Sequence, residues 1–298
     1  MKFLISILIG GIFCSPIYSF CQEDTSAVDK KRLTYLLTGE GVLYGATMYG
    51  LNSIWYKDYP HSSFHFFNDS REWLQMDKAG HMYSAYYLGK ICSYGFRWTG
   101  MERKRSSLWG SGLGMLFISS VEVFDGFSEK WGASVSDLVS NTAGFGLYTG
   151  QELLWQDQKI ILKYSFIKSG YAKYRPDALG ENITEMLIKD YNGMTFWLSG
   201  NLRALSRNDL FPAWLDISFG YGADAMVHGT VNPPEIDGEL IDFSRYRQYY
   251  LSLDIDLARI KTNSKILKTV FACLNVIKVP LPTLELSENK VKLHPVYF

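Results

Sequence analysis

Net charge is the first thing this sequence lacks. It has 298 residues, with 30 Lys+Arg balanced by 30 Asp+Glu, so its formal charge is zero. A nucleic-acid partner calls for a basic surface, and that class is set aside. Cysteine is also scarce. There are four, and two of them fall in the first 21 residues. Cys92 and Cys273 are too far apart in sequence to form a disulfide framework. They read as two small buried hydrophobes, with one long-range bridge as the alternative. No Gly-x-Ser-x-Gly surrounds a serine, no Gly-rich phosphate loop occurs and no internal repeat is evident, so nucleophile-elbow and nucleotide chemistry lose their usual signatures. Uncharged runs of 18 residues or more are absent from the body of the chain.

The N-terminus reads as an export signal over residues 1–21. Met1-Lys2 is followed by an apolar stretch from Phe3 to Phe20, and Ser19 and Cys21 stand at −3 and −1 for cleavage before Gln22. The competing reading lipidates Cys21, but Phe20 is bulky where lipoprotein signals favour a small residue. Both readings export the chain to the cell envelope, as a periplasmic, membrane-associated or outer-membrane protein. Residues 22–32, ending in Asp29-Lys30-Lys31-Arg32, read as a tether.

From Leu33 to about residue 158 the pattern is helical, with about four helices. The uncharged runs 41–56, 106–121 and 138–151 suit buried helices or short membrane helices. Glycines four apart (Gly41/Gly45, Gly110/Gly114, Gly146/Gly150) imply close helix approach. Aromatics make up 15% of the chain, and a Trp stands beside a basic cluster at 97–105. Both features suit a membrane interface, though a large aromatic core and a solvated turn explain them as well.

After residue 160 the period changes to two. The segments 214–222 and 249–257, a shorter one from Met194 and a terminal one at 290–298 alternate as antiparallel strands with one apolar face and one polar face. Four or five strands fall short of the ~8 of a closed membrane barrel. Residues 263–277 read as one amphipathic helix ended by Pro280 and Pro282. The expected class is α+β, a helical bundle over 33–158 followed by a small antiparallel β-rich region over 160–298.

Within the helical half, polar residues sit in apolar sequence. Asp77 and His81 share a helix face, which allows a carboxylate to orient an imidazole for base or ligand work; Asp77 also reads as a helix N-cap. Glu122 and Asp125 are three apart and repel unless a cation, proton or hydrogen bond intervenes. Asp125-Gly126 also reads as an exit turn. Asp137 and Asn141 form one stripe with Gly144 and Tyr148. Ser134 and Asp137 match a capping box, which leaves Asn141 unexplained. Glu40 ranks below these, and His61, His65, His228 and His294 lack ligand spacing. The candidate site is thus His81, Asp77, Glu122, Asp125, Asp137 and Asn141, with any metal or cofactor unidentified.

The motifs Asp77-Lys78-x-x-His81, Glu122-x-x-Asp125-Gly126 and Gly132-Ala133-Ser134-x-x-Asp137-x-x-x-Asn141-x-x-Gly144 resemble an uncharacterised bacterial family of predicted periplasmic lipoproteins. More loosely, they are similar to VanZ-like membrane proteins. The resemblance covers about residues 70–150 and departs from the lipoprotein pattern at Phe20. It implies envelope placement and shared site residues, with no activity attached. Two functions follow from the residues. One is a binding or structural role with a membrane lipid or envelope component as partner. The other is an envelope hydrolase or transferase that uses His81 and the carboxylates, with or without a divalent cation.

Overall fold

The computed structural model describes residues 27–53 and 60–298. The expected signal peptide and most of the tether lie outside the described residues. The fold is α+β, with helices first and an antiparallel sheet after them. Two compact units emerge. The helical unit takes the described residues up to Ser70 together with His81–Gln158, and the sheet unit takes Arg71–Gly80 and Lys159–Phe298.

In the helical unit, α1 (Lys30–Leu51) starts where the Asp29 carboxylate accepts the Lys31 and Arg32 amides. Lys30 to Arg32, expected at the end of the tether, are therefore its first turn. Helix α2 (Met76–Trp98) begins among the residues grouped with the sheet and continues through the helical unit. Helix α3 (Arg103–Gly126) follows a turn at Gly100, whose φ of 86° suits glycine. Helix α4 (Val135–Leu154) is capped by Ser134, whose Oγ accepts the Asp137 amide. Leu51, Ala85, Ile118, Val121 and Phe145 make the apolar core.

The glycine spacing is only partly a packing code. A Cβ on Gly110 would stand 2.3 Å from the Ser93 amide nitrogen, and one on Gly114 would stand 2.7 Å from the Phe145 ring. Among the described residues nothing lies within 4 Å of a Cβ added at Gly41, Gly45, Gly146 or Gly150, so those pairs do not mark close helix approach there. The tightest helix approach runs instead through Gly144, where a Cβ would stand 2.2 Å from the Met82 carbonyl oxygen. Among the described residues α3 alone is long and apolar enough to cross a membrane, and 39% of its most apolar window is buried.

The sheet unit is a six-stranded antiparallel meander, more strands than the period-two segments predict. Its strands are β1 (Ile160–Phe166), β2 (Met194–Asn201), β3 (Leu215–Asp224), β4 (Tyr246–Ile255), β5 (Leu281–Ser287) and β6 (Lys290–Tyr297), each paired to the next. β1 escapes the sequence reading because Ile160-Ile161-Leu162 hides its alternation. β5 escapes because Pro282, read as a helix stop, lies inside it. The β5–β6 hairpin turns on Glu288 and Asn289, both left-handed at φ 48° and 59°. A short separate hairpin pairs Glu235–Ile236 with Glu239–Leu240. Helix α5 (Lys265–Leu274) is the expected amphipathic helix, capped by Ser264. Cys273 on it is exposed and Cys92 is buried, so only one of the two cysteines is the buried hydrophobe expected, and no bridge joins them.

Candidate functional site

Asp77 and His81 lie one turn apart on α2, a spacing that places both on the same helix face. Asp77 stands in the first turn of α2. Just upstream, Trp73, Leu74 and Gln75 all have left-handed φ values of 47°, 49° and 66°. Such backbone costs roughly 1–2 kcal/mol per non-glycine residue. The turn is held by the Trp73 amide donating to the Gly229 carbonyl at 2.6 Å, the Tyr221 hydroxyl donating to the Leu74 carbonyl and Arg247 donating to Gln75 at 2.6 Å. Strain held by so many partners, directly before a polar helix start, is typical of functional segments.

His81 is buried, and its Nδ1 lies 3.2 Å from Asn141 Oδ1. An amide oxygen only accepts, so Nδ1 carries the proton. That directs Nε2 to the other side, 3.6 Å from Asp137 Oδ2. Asp137 and Asn141 stand one turn apart on α4, both buried, with Asn141 fully so. Ligand atoms of Asp77, His81 and Asp137 lie within 4.8 Å of one another. Two of these groups are carboxylates and the third is an imidazole nitrogen aimed at them. Such a set is stable around a cation, whether a divalent ion or the second proton of an imidazolium. Asn141 orients the imidazole from behind, as an outer-shell partner does. Its Nδ2 is buried with no hydrogen-bond partner, a costly state for an amide donor.

Asp77 is further held by the Lys78 ammonium on Oδ2 at 2.9 Å and by the Tyr191 hydroxyl donating to Oδ1 at 2.8 Å. Glu122 is buried and its Oε2 accepts the Ser134 amide at 3.2 Å, so it braces the start of α4. Asp125 is half-buried in the last turn of α3, where its carbonyl accepts the Ser128 amide in the exit turn. Of the six expected residues, Asp77, His81, Asp137 and Asn141 converge. Glu122 and Asp125 are outside the ligand set. Glu40 lies half-buried on α1, where burial pushes its carboxyl up.

Residues outside the motif also contribute. Asp69 accepts the hydroxyls of Ser134 and Ser136, both at 2.6 Å, and so secures the first turn of the helix that carries Asp137 and Asn141. Its only sequence signal is a polar Asn68-Asp69-Ser70 turn. Tyr191 lies 114 residues from Asp77, and nothing in its local sequence points there. His294, which lacks ligand spacing, pairs with Glu285 at 2.6 Å across the β5–β6 hairpin.

Residues 65–149 match a family described as "Predicted periplasmic lipoprotein (DUF2279)". No curated protein and no solved structure matches the chain. The matched stretch contains His81, Asp137, Asn141, Asp77, Glu122 and the Asp69 brace. Over residues 65–149, less than a third of the chain, the sequence is therefore similar to the predicted periplasmic lipoprotein family DUF2279, a family of unknown function whose description supports a location in the cell envelope.

Proposed function

We propose that this chain is a cell-envelope binding protein, and that Asp77, His81 and Asp137 hold a divalent cation. The supporting observation is the convergence of two carboxylates and one tautomer-fixed imidazole nitrogen within 4.8 Å. A purely structural hydrogen-bond network would satisfy its own members. This one leaves the Asn141 amide donor buried and unpaired. One imidazole with two carboxylate oxygens suits Zn²⁺, Mn²⁺ and related first-row ions, with remaining positions open to water or an envelope ligand. A bound ion would join α2 to α4 and present a Lewis-acidic centre to an anionic group of a lipid or wall component.

The test is metal content and thermal stability of the full chain, dialysed against Zn²⁺ or Mn²⁺ and then against buffer alone. Wild type is expected to retain about one ion per chain and to melt higher when loaded, since a ligand that binds only the folded state stabilises it. Asp137→Asn and His81→Gln should lose both the ion and the metal-dependent rise. Wild type without bound ion and without a metal-dependent shift would overturn the proposal.

A further inference from the structure

From β3 to β6 the sheet unit has its polarity reversed, whereas on β1 and β2 the outward residues Leu162 and Phe196 are buried. In register across the six strands runs the row Leu162, Leu198, Phe219, Leu251, Leu284 and Leu293. The next row on the same face is Tyr164, Phe196, Tyr221, Tyr249, Leu286 and Val291. Between them on the opposite face lies the row Lys163, Trp197, Gly220, Tyr250, Glu285 and Lys292. A soluble sheet buries its apolar rows and shows water the polar ones. Here Phe219 is 56% exposed, Leu253 50% and Leu293 67%, while Lys163, Ser199, Ser218 and Asp254 are fully buried.

The buried side is a satisfied polar interior. Lys163 Nζ lies 2.9 Å from Asp254 Oδ2, and Asp254 also accepts the Ser199 hydroxyl at 2.9 Å. Trp197 Nε1 donates to Ser165 at 2.9 Å, and Lys278 Nζ donates to the Leu253 and Val279 carbonyls, each at 2.8 Å. Tyr297 of the last strand meets Thr195 of the second at 3.1 Å, so the sheet curls around this interior. Register is set by the pleat, and a one-residue slip would invert every strand. The hydrogen bonds within the interior exclude such a slip.

We infer that the outer face of this sheet is a lipid-docking surface, seated against the hydrocarbon of an envelope membrane. Three observations on the page choose hydrocarbon over a protein partner. The outward positions hold no charge until Arg247 and Glu288 at one end. Protein interfaces are about as polar as the surface around them, whereas hydrocarbon demands this composition. The outward residues Leu215, Ile217 and Phe219 extend about 13 Å along β3 at ~3.3 Å per residue, close to half of a ~30 Å hydrocarbon core, before Tyr221 turns its hydroxyl to Leu74. At the end of the sheet where β4 leaves for β5, α5 also exposes an apolar side, with Ile266, Leu267, Val270 and Leu274 all exposed. An amphipathic helix beside an apolar sheet is the form of an interfacial anchor.

The test places reporters on the full chain with Cys14→Ala, Cys21→Ala, Cys92→Ala and Cys273→Ala. Bimane is attached at Leu251→Cys, Leu284→Cys or, as a control on the separate short hairpin, Glu239→Cys. Each protein is mixed with phosphatidylcholine vesicles that carry bromine on their acyl chains. Emission from positions 251 and 284 should be quenched and emission from 239 should not. In flotation, Leu251→Arg should lower vesicle partition roughly 30-fold, the equivalent of about 2 kcal/mol for a basic residue placed in hydrocarbon. It should leave the melting temperature in buffer unchanged. Vesicle-bound protein with unquenched 251 and 284, or failure to bind vesicles at all, overturns the inference. So does a stable dimer by light scattering that Leu251→Arg dissociates, because the face would then belong to a second copy.

Discussion

Asn141 shows how one residue can organise the proposed site. Its Oδ1 fixes the proton on His81 Nδ1 and thereby aims Nε2 at Asp137. Outer-shell partners of metal-binding histidines typically contribute 10–100-fold in affinity. Asn141→Ala is therefore expected to weaken Zn²⁺ or Mn²⁺ binding by about that factor without removing a ligand, as read by competition with a chromophoric chelator. Asn141→Asp should differ in kind, since a third carboxylate strengthens cation binding and destabilises the ion-free protein. Glu122 is the instructive contrast. It is as buried as His81, yet it spends its oxygen on the Ser134 amide. The sequence shows that both residues are polar in apolar surroundings. Which of them faces a ligand depends on the tertiary neighbours.

At the scale of elements, the site requires α2 and α4 to touch, and the contact runs through Gly144. A methyl there meets the Met82 carbonyl oxygen and the Ala85 side chain, neither of which can swing away as a flexible chain end would. Gly144→Ala is expected to cost about 1–3 kcal/mol in denaturant unfolding through overpacking. Gly146→Ala, two residues on and facing open space, should instead gain about 0.5–1 kcal/mol from helix propensity. Equal effects from the two would contradict this contact. The Ser134-x-x-Asp137 cap and the start of α4 were legible in advance, because capping is local. Which glycines pack was not legible. Spacing alone does not say which side of a helix meets a neighbour.

For the whole molecule, acid stability is governed in part by how α3 and α4 are joined. Arg103 donates to Glu152 at 2.5 Å and 3.0 Å, and Gln158 donates to the same carboxylate at 2.9 Å. Burial pushes the Glu152 carboxyl up, but these bonds outweigh it and hold the group below its ordinary value of 4.5. A lowered folded-state value contributes stability above the unfolded value and loses it as pH falls through the folded one. Glu152→Gln should therefore melt below wild type at neutral pH, and the gap should close as pH drops beneath about 4.5. A gap that widens in acid would reverse the sign of the argument.

The order of helices before strands, the period-two alternation of most strands, the caps at Ser134 and Ser264 and the polar stripe of Asp137 and Asn141 follow from the sequence by itself. Each rests on side chains a few residues apart, where helix and strand periods do the sorting. The tertiary structure alone decided that four of the six candidate residues converge, that Tyr191 and Asp69 support them and that the apolar faces of β3 to β6 are exposed. Alternation identifies two faces of a sheet but carries no sign. Only closure of the polar interior around Lys163, Asp254 and Trp197 determines which face is inside.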